Sequence, residues 1–402
     1  MRDEEATGPL TQASAPISGS PRNRKIPWGE SAPGRPGRRR CKELPVRGST
    51  ASRLLALVAL ASLALVSCAR SAPGASNLKP ADLYAAGPTV GDVRTLLGDS
   101  NWWQGPPSFG VRPLDATSIP ETERFSVAQR FIRLGTAEEF FVRYTLYDTV
   151  ASATAVMKNL KDSYGATTPL QKVGDDTLYL GSGPSEGGAP YISRTIARLG
   201  QVMVQISWAR KDGQPTIQQL VRNGTKIIAG LKKVVDGKAH ASPPQADPKL
   251  LPNPGLDITY LGSAQLPIEA WVVMTRKAIP GPLVDALHVL GINDFAYGDY
   301  ALNNDTHMEV LTALFTFPSP AAATQWVQLF GPGKPDSSGI DWTYEPVAGS
   351  VEGSGEYHYY FAAGTRGAMM VCAATIPGEA ASRACEAPME RVAISWGLAL
   401  SA

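Results

Sequence analysis

The chain has 402 residues, 43% of them hydrophobic and 18% charged, with a formal net charge of +2. That length exceeds what one compact domain usually needs, so two domains are expected. Residues 1 to 67 hold 11 Lys and Arg against 5 Asp and Glu, which leaves 27 against 31 and a net charge of −4 for the rest. With the net positive charge confined to the leader and the rest acidic, a nucleic-acid partner is set aside.

In chain order, residues 1–45 come first. They are rich in Pro, Gly, Ser and Arg, with Gly34-Arg35-Pro36-Gly37-Arg38-Arg39-Arg40 at the centre, and show neither apolar period. Such a stretch cannot build a core. It is either a disordered extension or untranslated sequence, with the true start at Val46. Residues 46–67 read as a signal peptide, because the run from Leu54 to Ser67 is uncharged and aliphatic, follows Arg47 and Arg53, and stops at Cys68. It is too short to cross a hydrocarbon core of roughly 30 Å comfortably. Leu65-Val66-Ser67-Cys68 resembles the lipobox of bacterial lipoproteins, in which the cysteine is acylated and becomes the first mature residue. The alternatives are an uncleaved anchor and a non-lipid cleavage site. Lipid on Cys68 would make the membrane a partner, since each buried methylene contributes about 0.8 kcal/mol.

Residues 68–81 read as a flexible tether of small polar residues with Pro and Gly. A first domain is expected over 82–235 and a second over 255–402. Between them, residues 236–254 carry Pro243, Pro244, Pro248, Pro252 and Pro254, which leave few backbone donors for helix or sheet.

The two halves look like a duplication. Phe140 to Leu146 reads as a strand, and a helix opens after Thr149 with an apolar stripe of Ala153, Val156, Met157 and Leu160. Shifted by 170 residues, Val310 to Thr316 reads as another strand, followed by a helix opening at Ser319 with Trp326, Val327 and Phe330 in register. Thr149 and Ser319 stand at N-cap positions. Arg198–Ile206 aligns against Arg366–Ala373, each a glycine turn feeding an apolar strand, with closing helices near 216–231 and 387–398. The fold class expected is α+β, two related domains, each an antiparallel sheet with helices packed on one face.

This order of lipobox, proline-rich tether, strand, aromatic-x-[Ser/Thr]-x-Ala-x-Ala helix start and mid-chain proline-rich connector resembles a group of actinobacterial, especially mycobacterial, cell-envelope lipoproteins with no assigned function. The resemblance implies an extracytoplasmic α+β protein and supplies no catalytic residues.

Once Cys41 leaves with the leader and Cys68 is lipidated, Cys372 and Cys385 remain, an even pair expected to form a disulfide, with two buried thiols as the alternative. No P-loop, H-E-x-x-H or C-x-x-C occurs, and no cofactor is called for. Asp305, His307 and Glu309 alternate on an expected strand and form a weak metal candidate, against the plainer reading of a solvent-facing strand. Tyr357, Tyr359 and Phe361 share one strand face, and Trp102 and Trp103 stand in a Gly-Pro-rich loop. An exposed patch of these would suit an apolar or glycan ligand, whereas burial would make them core. The function expected is a membrane-anchored, non-catalytic binding or scaffold protein of the envelope, with lipid, glycan or protein as partner. An enzyme acting on envelope lipid or glycan and a lipid-transport accessory are the alternatives.

Overall fold

The structure, a computed structural model, describes residues 77–110, 122–136, 138–165, 171–182, 191–238, 244–255, 257–274, 280–302, 305–329, 342–344, 356–374 and 381–401. In the first half these form α1 (Pro80–Ala86), α2 (Val90–Leu97), β1 (Trp102–Gln104), β2 (Ser108–Gly110), β3 (Glu123–Arg133), β4 (Glu139–Tyr147), α3 (Val150–Ser163), β5 (Asp176–Ser182), β6 (Tyr191–Leu199), β7 (Val202–Arg210) and α4 (Ile217–Val235). The second half holds β8 (Ile258–Pro267), α5 (Ile268–Met274), α6 (Pro280–Val289), β9 (Asp294–Leu302), β10 (Asp305–Thr316), α7 (Pro320–Gln328), β11 (Trp342–Tyr344), β12 (Glu356–Ala363), β13 (Arg366–Ala374) and α8 (Ala381–Ser401).

Both sheets are antiparallel. The first runs β1-β3-β4-β7-β6-β5, with β2 also paired to β3, and the second runs β11-β12-β13-β10-β9-β8. Read in opposite directions, the two orders match strand for strand, with α3 and α7 in one equivalent place and α4 and α8 in another. The α+β class and the relation between the halves therefore hold. The same local device starts the equivalent helices: the Thr149 hydroxyl accepts from the Ser152 N–H at 3.0 Å, and the Ser319 hydroxyl from the Ala322 N–H at 3.2 Å.

Registers correct the alignment of the last strands. Leu199 pairs with Val202 and Ala363 with Arg366, so each hairpin turns through two residues, Gly200-Gln201 and Gly364-Thr365. Gly200 and Gly364 adopt φ values of 59° and 55°, the left-handed conformation such tight turns require. Gly200 thus matches Gly364, not Gly367, and the counterpart of Cys372 is Trp208, since Phe140 pairs with Trp208 and Val310 with Cys372.

Helices lie on both faces of each sheet. On the first sheet, α4 packs Ile227, Ile228, Leu231 and Val234 into the cluster that holds Tyr144, Leu146, Val202 and Val204. The opposite face carries α3, whose Ala153 and Met157 meet Tyr147, Leu178, Ile196 and Met203 in a small separate cluster. On the second sheet, α8 covers Val310, Leu314, Tyr357, Phe361 and Met370, while α7 joins Phe295, Phe315, Tyr360 and Met369 on the other side. That second side and the α4 side of the first sheet belong to one continuous apolar cluster running through both halves. Residues Ala69–Ala402 make a single compact unit.

The described part of the proline-rich connector is docked. Leu251 is buried with the α8-side cluster, the Tyr300 hydroxyl donates to Pro252 O at 3.0 Å, and the Trp396 indole N–H donates to Leu250 O at 3.1 Å. The closing helix expected near 387–398 starts earlier, at Ala381, and carries Pro388 inside it.

Candidate functional site

The chemistry-bearing side chains fall into two buried groups. The first lies where β2, from the first half, crosses β9 and β10. Asp299 is fully buried, and its Oδ2 accepts from the Phe109 N–H at 2.6 Å. Glu309, also buried, accepts from the Ser108 hydroxyl at 3.3 Å. The approach is so close that a Cβ on Gly262 would fall 2.4 Å from the Phe109 ring, so only glycine fits there. Phe109 in turn meets Tyr84 edge-on at 5.8 Å between centroids. Burying a carboxylate is costly unless donors meet it, and here the donors come from the other half of the molecule. Chemically this is a latch: two acceptors of one sheet hold the strand margin of the other.

The second group lies on the α3 face of the first sheet. Arg143 and Glu123 are both buried, 3.8 Å apart, and the Arg143 guanidinium donates to the Ser126 hydroxyl at 3.1 Å. Ser126 in turn bonds the Gly110 carbonyl. Burial pushes the Glu123 carboxyl up to about 7, the Arg143 charge opposing that rise. Glu123 can therefore exchange a proton near neutral pH. Sequence reasoning missed it, because a lone Glu at the start of a strand looks solvent-facing; only the pairing of β3 with β4 brings it beside Arg143.

The residues singled out from the sequence are dispersed. Tyr357, Tyr359 and Phe361 are 5%, 6% and 0% exposed and pack in the α8-side cluster, where Phe361 meets Trp396 edge-on at 5.4 Å. Trp102 is buried, with Trp103 packed against the shared cluster, on a different sheet from the three strand aromatics. Of Asp305, His307 and Glu309, only the Glu309 side chain lies among the described ones. The ladder to β9 is irregular between Asp305 and Glu309, so simple alternation does not run through the three positions. Among the described residues, no group of three or more His, Cys, Asp or Glu is arranged to hold a metal ion. His358 sits on β12 with its Nδ1 3.3 Å from the Tyr360 hydroxyl.

Cys372, at the end of β13, and Cys385, in α8, are joined in a disulfide within the α8-side cluster. Cys68 and the leader lie outside the described residues. Among the described helices none is long and apolar enough to cross a membrane.

No family model matches the chain, and no curated protein matches it. Among solved structures, it is similar to the extracellular domain of PknH from Mycobacterium tuberculosis, with 13% identity and a TM-score of 0.31, over 40% of this chain and 100% of that domain.

Proposed function

We propose that the chain is an extracytoplasmic protein of a bacterial envelope, tethered to the membrane through lipid on Cys68, whose folded body serves as a non-catalytic binding or scaffold unit. The observation that carries the location is the Cys372–Cys385 disulfide, since such bonds form and persist in oxidising compartments. The signal-peptide pattern ahead of Leu65-Val66-Ser67-Cys68 supports the same reading. The scaffold role draws on the use made of the buried carboxylates: Asp299 and Glu309 each accept a bond that joins the two halves.

The test is intact-mass analysis of the membrane fraction from a native-like host, comparing the natural chain with Cys68→Ala. The expected mass begins at Cys68 and includes acyl chains, and the variant leaves the membrane fraction. An unlipidated mass starting elsewhere overturns the tethered reading.

A further inference from the structure

Helix α4 spans 19 residues, with Arg222, Lys226, Lys232 and Lys233 as its charged side chains and no carboxylate among them. Its inner face, Leu220, Ile227, Ile228, Leu231 and Val234, is buried against the sheet, which forces all four cations onto the outer face. Lys238 follows just past the end. The Lys226 and Lys232 side chains are 58% and 64% exposed. Two carboxylates stand near: Asp92 lies 3.3 Å from Lys226, and Asp236 lies 3.3 Å from Lys232 and 3.5 Å from Lys238. Arg222 donates to the Leu96 carbonyl at 3.0 Å. Five cations against two carboxylates make this face basic, on a mature chain whose net charge is −4. Exposed ion pairs of this kind are weak, so they yield readily to a competing phosphate.

The same helix lies beside the point where the tether enters the body. α1, the first helix after the tether, packs on α4 so closely that a Cβ on Gly230 would fall 2.5 Å from the Ala86 carbonyl oxygen. Nine residues lead from Cys68 to Asn77, and covalent geometry limits them to a reach of roughly 30 Å. Ile217, at the start of α4, is half-exposed and adds an apolar contact. On the opposite face of this sheet the α3 lysines are balanced, Lys158 by Asp162 at 2.8 Å and Lys161 by Asp176 at 2.5 Å.

We propose that the outer face of α4 docks on anionic lipid headgroups, laying the body against the membrane with α3 turned away. The proposal rests on the tethered reading above. Each lysine near an anionic surface strengthens attachment by about fivefold, an effect that salt screens.

The test replaces the biological anchor with a chemical one. Expressed from Cys68 without the leader, the chain escapes acylation at Cys68 while Cys372 and Cys385 are bonded to each other, so the Cys68 thiol can be coupled to a maleimide-bearing phospholipid. The coupled protein is placed on phosphatidylcholine vesicles with or without phosphatidylglycerol, and lysine acetylation rates are read by peptide mass spectrometry. On phosphatidylglycerol vesicles, acetylation of Lys226, Lys232 and Lys233 is expected to slow severalfold, and to recover in high salt, with Lys158 unchanged. A Lys226→Glu, Lys233→Glu variant, checked for folding by its thermal melt, should lose the protection of Lys232. Equal rates on both vesicle types, or equal slowing of Lys158, overturn the proposal. Failure of natural lipidation would appear only in the mass analysis, because here the anchor is supplied by coupling.

Discussion

The two sheets share a strand order yet offer opposite faces to their common core. In the first sheet the α4 side is apolar and faces inward, while the α3 side carries Arg143, Thr145, Gln205 and Ser207. Their counterparts in the second sheet, by register, are Ala313, Phe315, Met369 and Val371. Four polar positions in one half are thus apolar in the other, and it is this exchange that lets the α7 side of the second sheet enter the shared cluster. A duplicated framework therefore does not fix which face is buried; side-chain polarity at a few register positions does. The second sheet is lined by apolar clusters on both faces. The first keeps one partly polar face, and with it the buried Glu123–Arg143 pair.

The sharpest way to break this comparison is to move the polarity across. Ala313→Arg gives the second sheet the residue that the first has at the matching place, but without an acid to meet it. An unpaired buried charge should cost several kcal/mol and leave no cooperative thermal transition. Phe315→Ala, which removes a ring stacked on Phe295 at 5.4 Å and tilted against Trp326 at 5.1 Å, should cost about 3–5 kcal/mol by denaturant melt. A loss under 1 kcal/mol in either variant would mean that this face is not core.

The disulfide belongs to the second half only, since the counterpart of Cys372 is Trp208. Cys372→Ser with Cys385→Ser should therefore lower stability by about 3 kcal/mol, in the chain-entropy account of a closed loop. Hydrogen exchange of the doubly substituted chain should rise first in α8 and β13 and leave β3 and β4 nearly as protected as before.

The first half has its own signature in pH. Burial raises the Glu123 carboxyl from an ordinary 4.5 to about 7. A group shifted in that direction contributes stability that is complete below about pH 4.5 and is lost as pH rises through about 7. Folding stability should therefore increase by on the order of 2 kcal/mol from pH 8 to pH 5, and Glu123→Gln should flatten that slope. An unchanged slope in the variant would assign the dependence elsewhere. The smallest effect sharpens the likeness of the halves: Thr149→Ala and Ser319→Ala should each cost about 1 kcal/mol, as equivalent N-caps do.

Much of the framework is legible along the chain because it depends on local rules. Thr149 and Ser319 announce their helices by capping chemistry, and the strands leading to them by their apolar runs. The 170-residue offset between these units survives in the registers. Alternation placed Tyr357, Tyr359 and Phe361 on one face, as found. The match of the final hairpins slipped because two glycines, Gly364 and Gly367, lie close together, and only pairing tells the turn from the strand.

By itself, then, the sequence determined the caps, the alternating strand faces, the even cysteine pair and the order of elements, since each depends on residues a few positions apart. Tertiary structure alone decided which sheet face turns inward, that Asp299 and Glu309 meet β2, that Glu123 lies beside Arg143, and that the α4 cations gather beside the tether's point of entry. Those outcomes depend on groups far apart in the chain, whose burial and electrostatics exist only once the strands have paired.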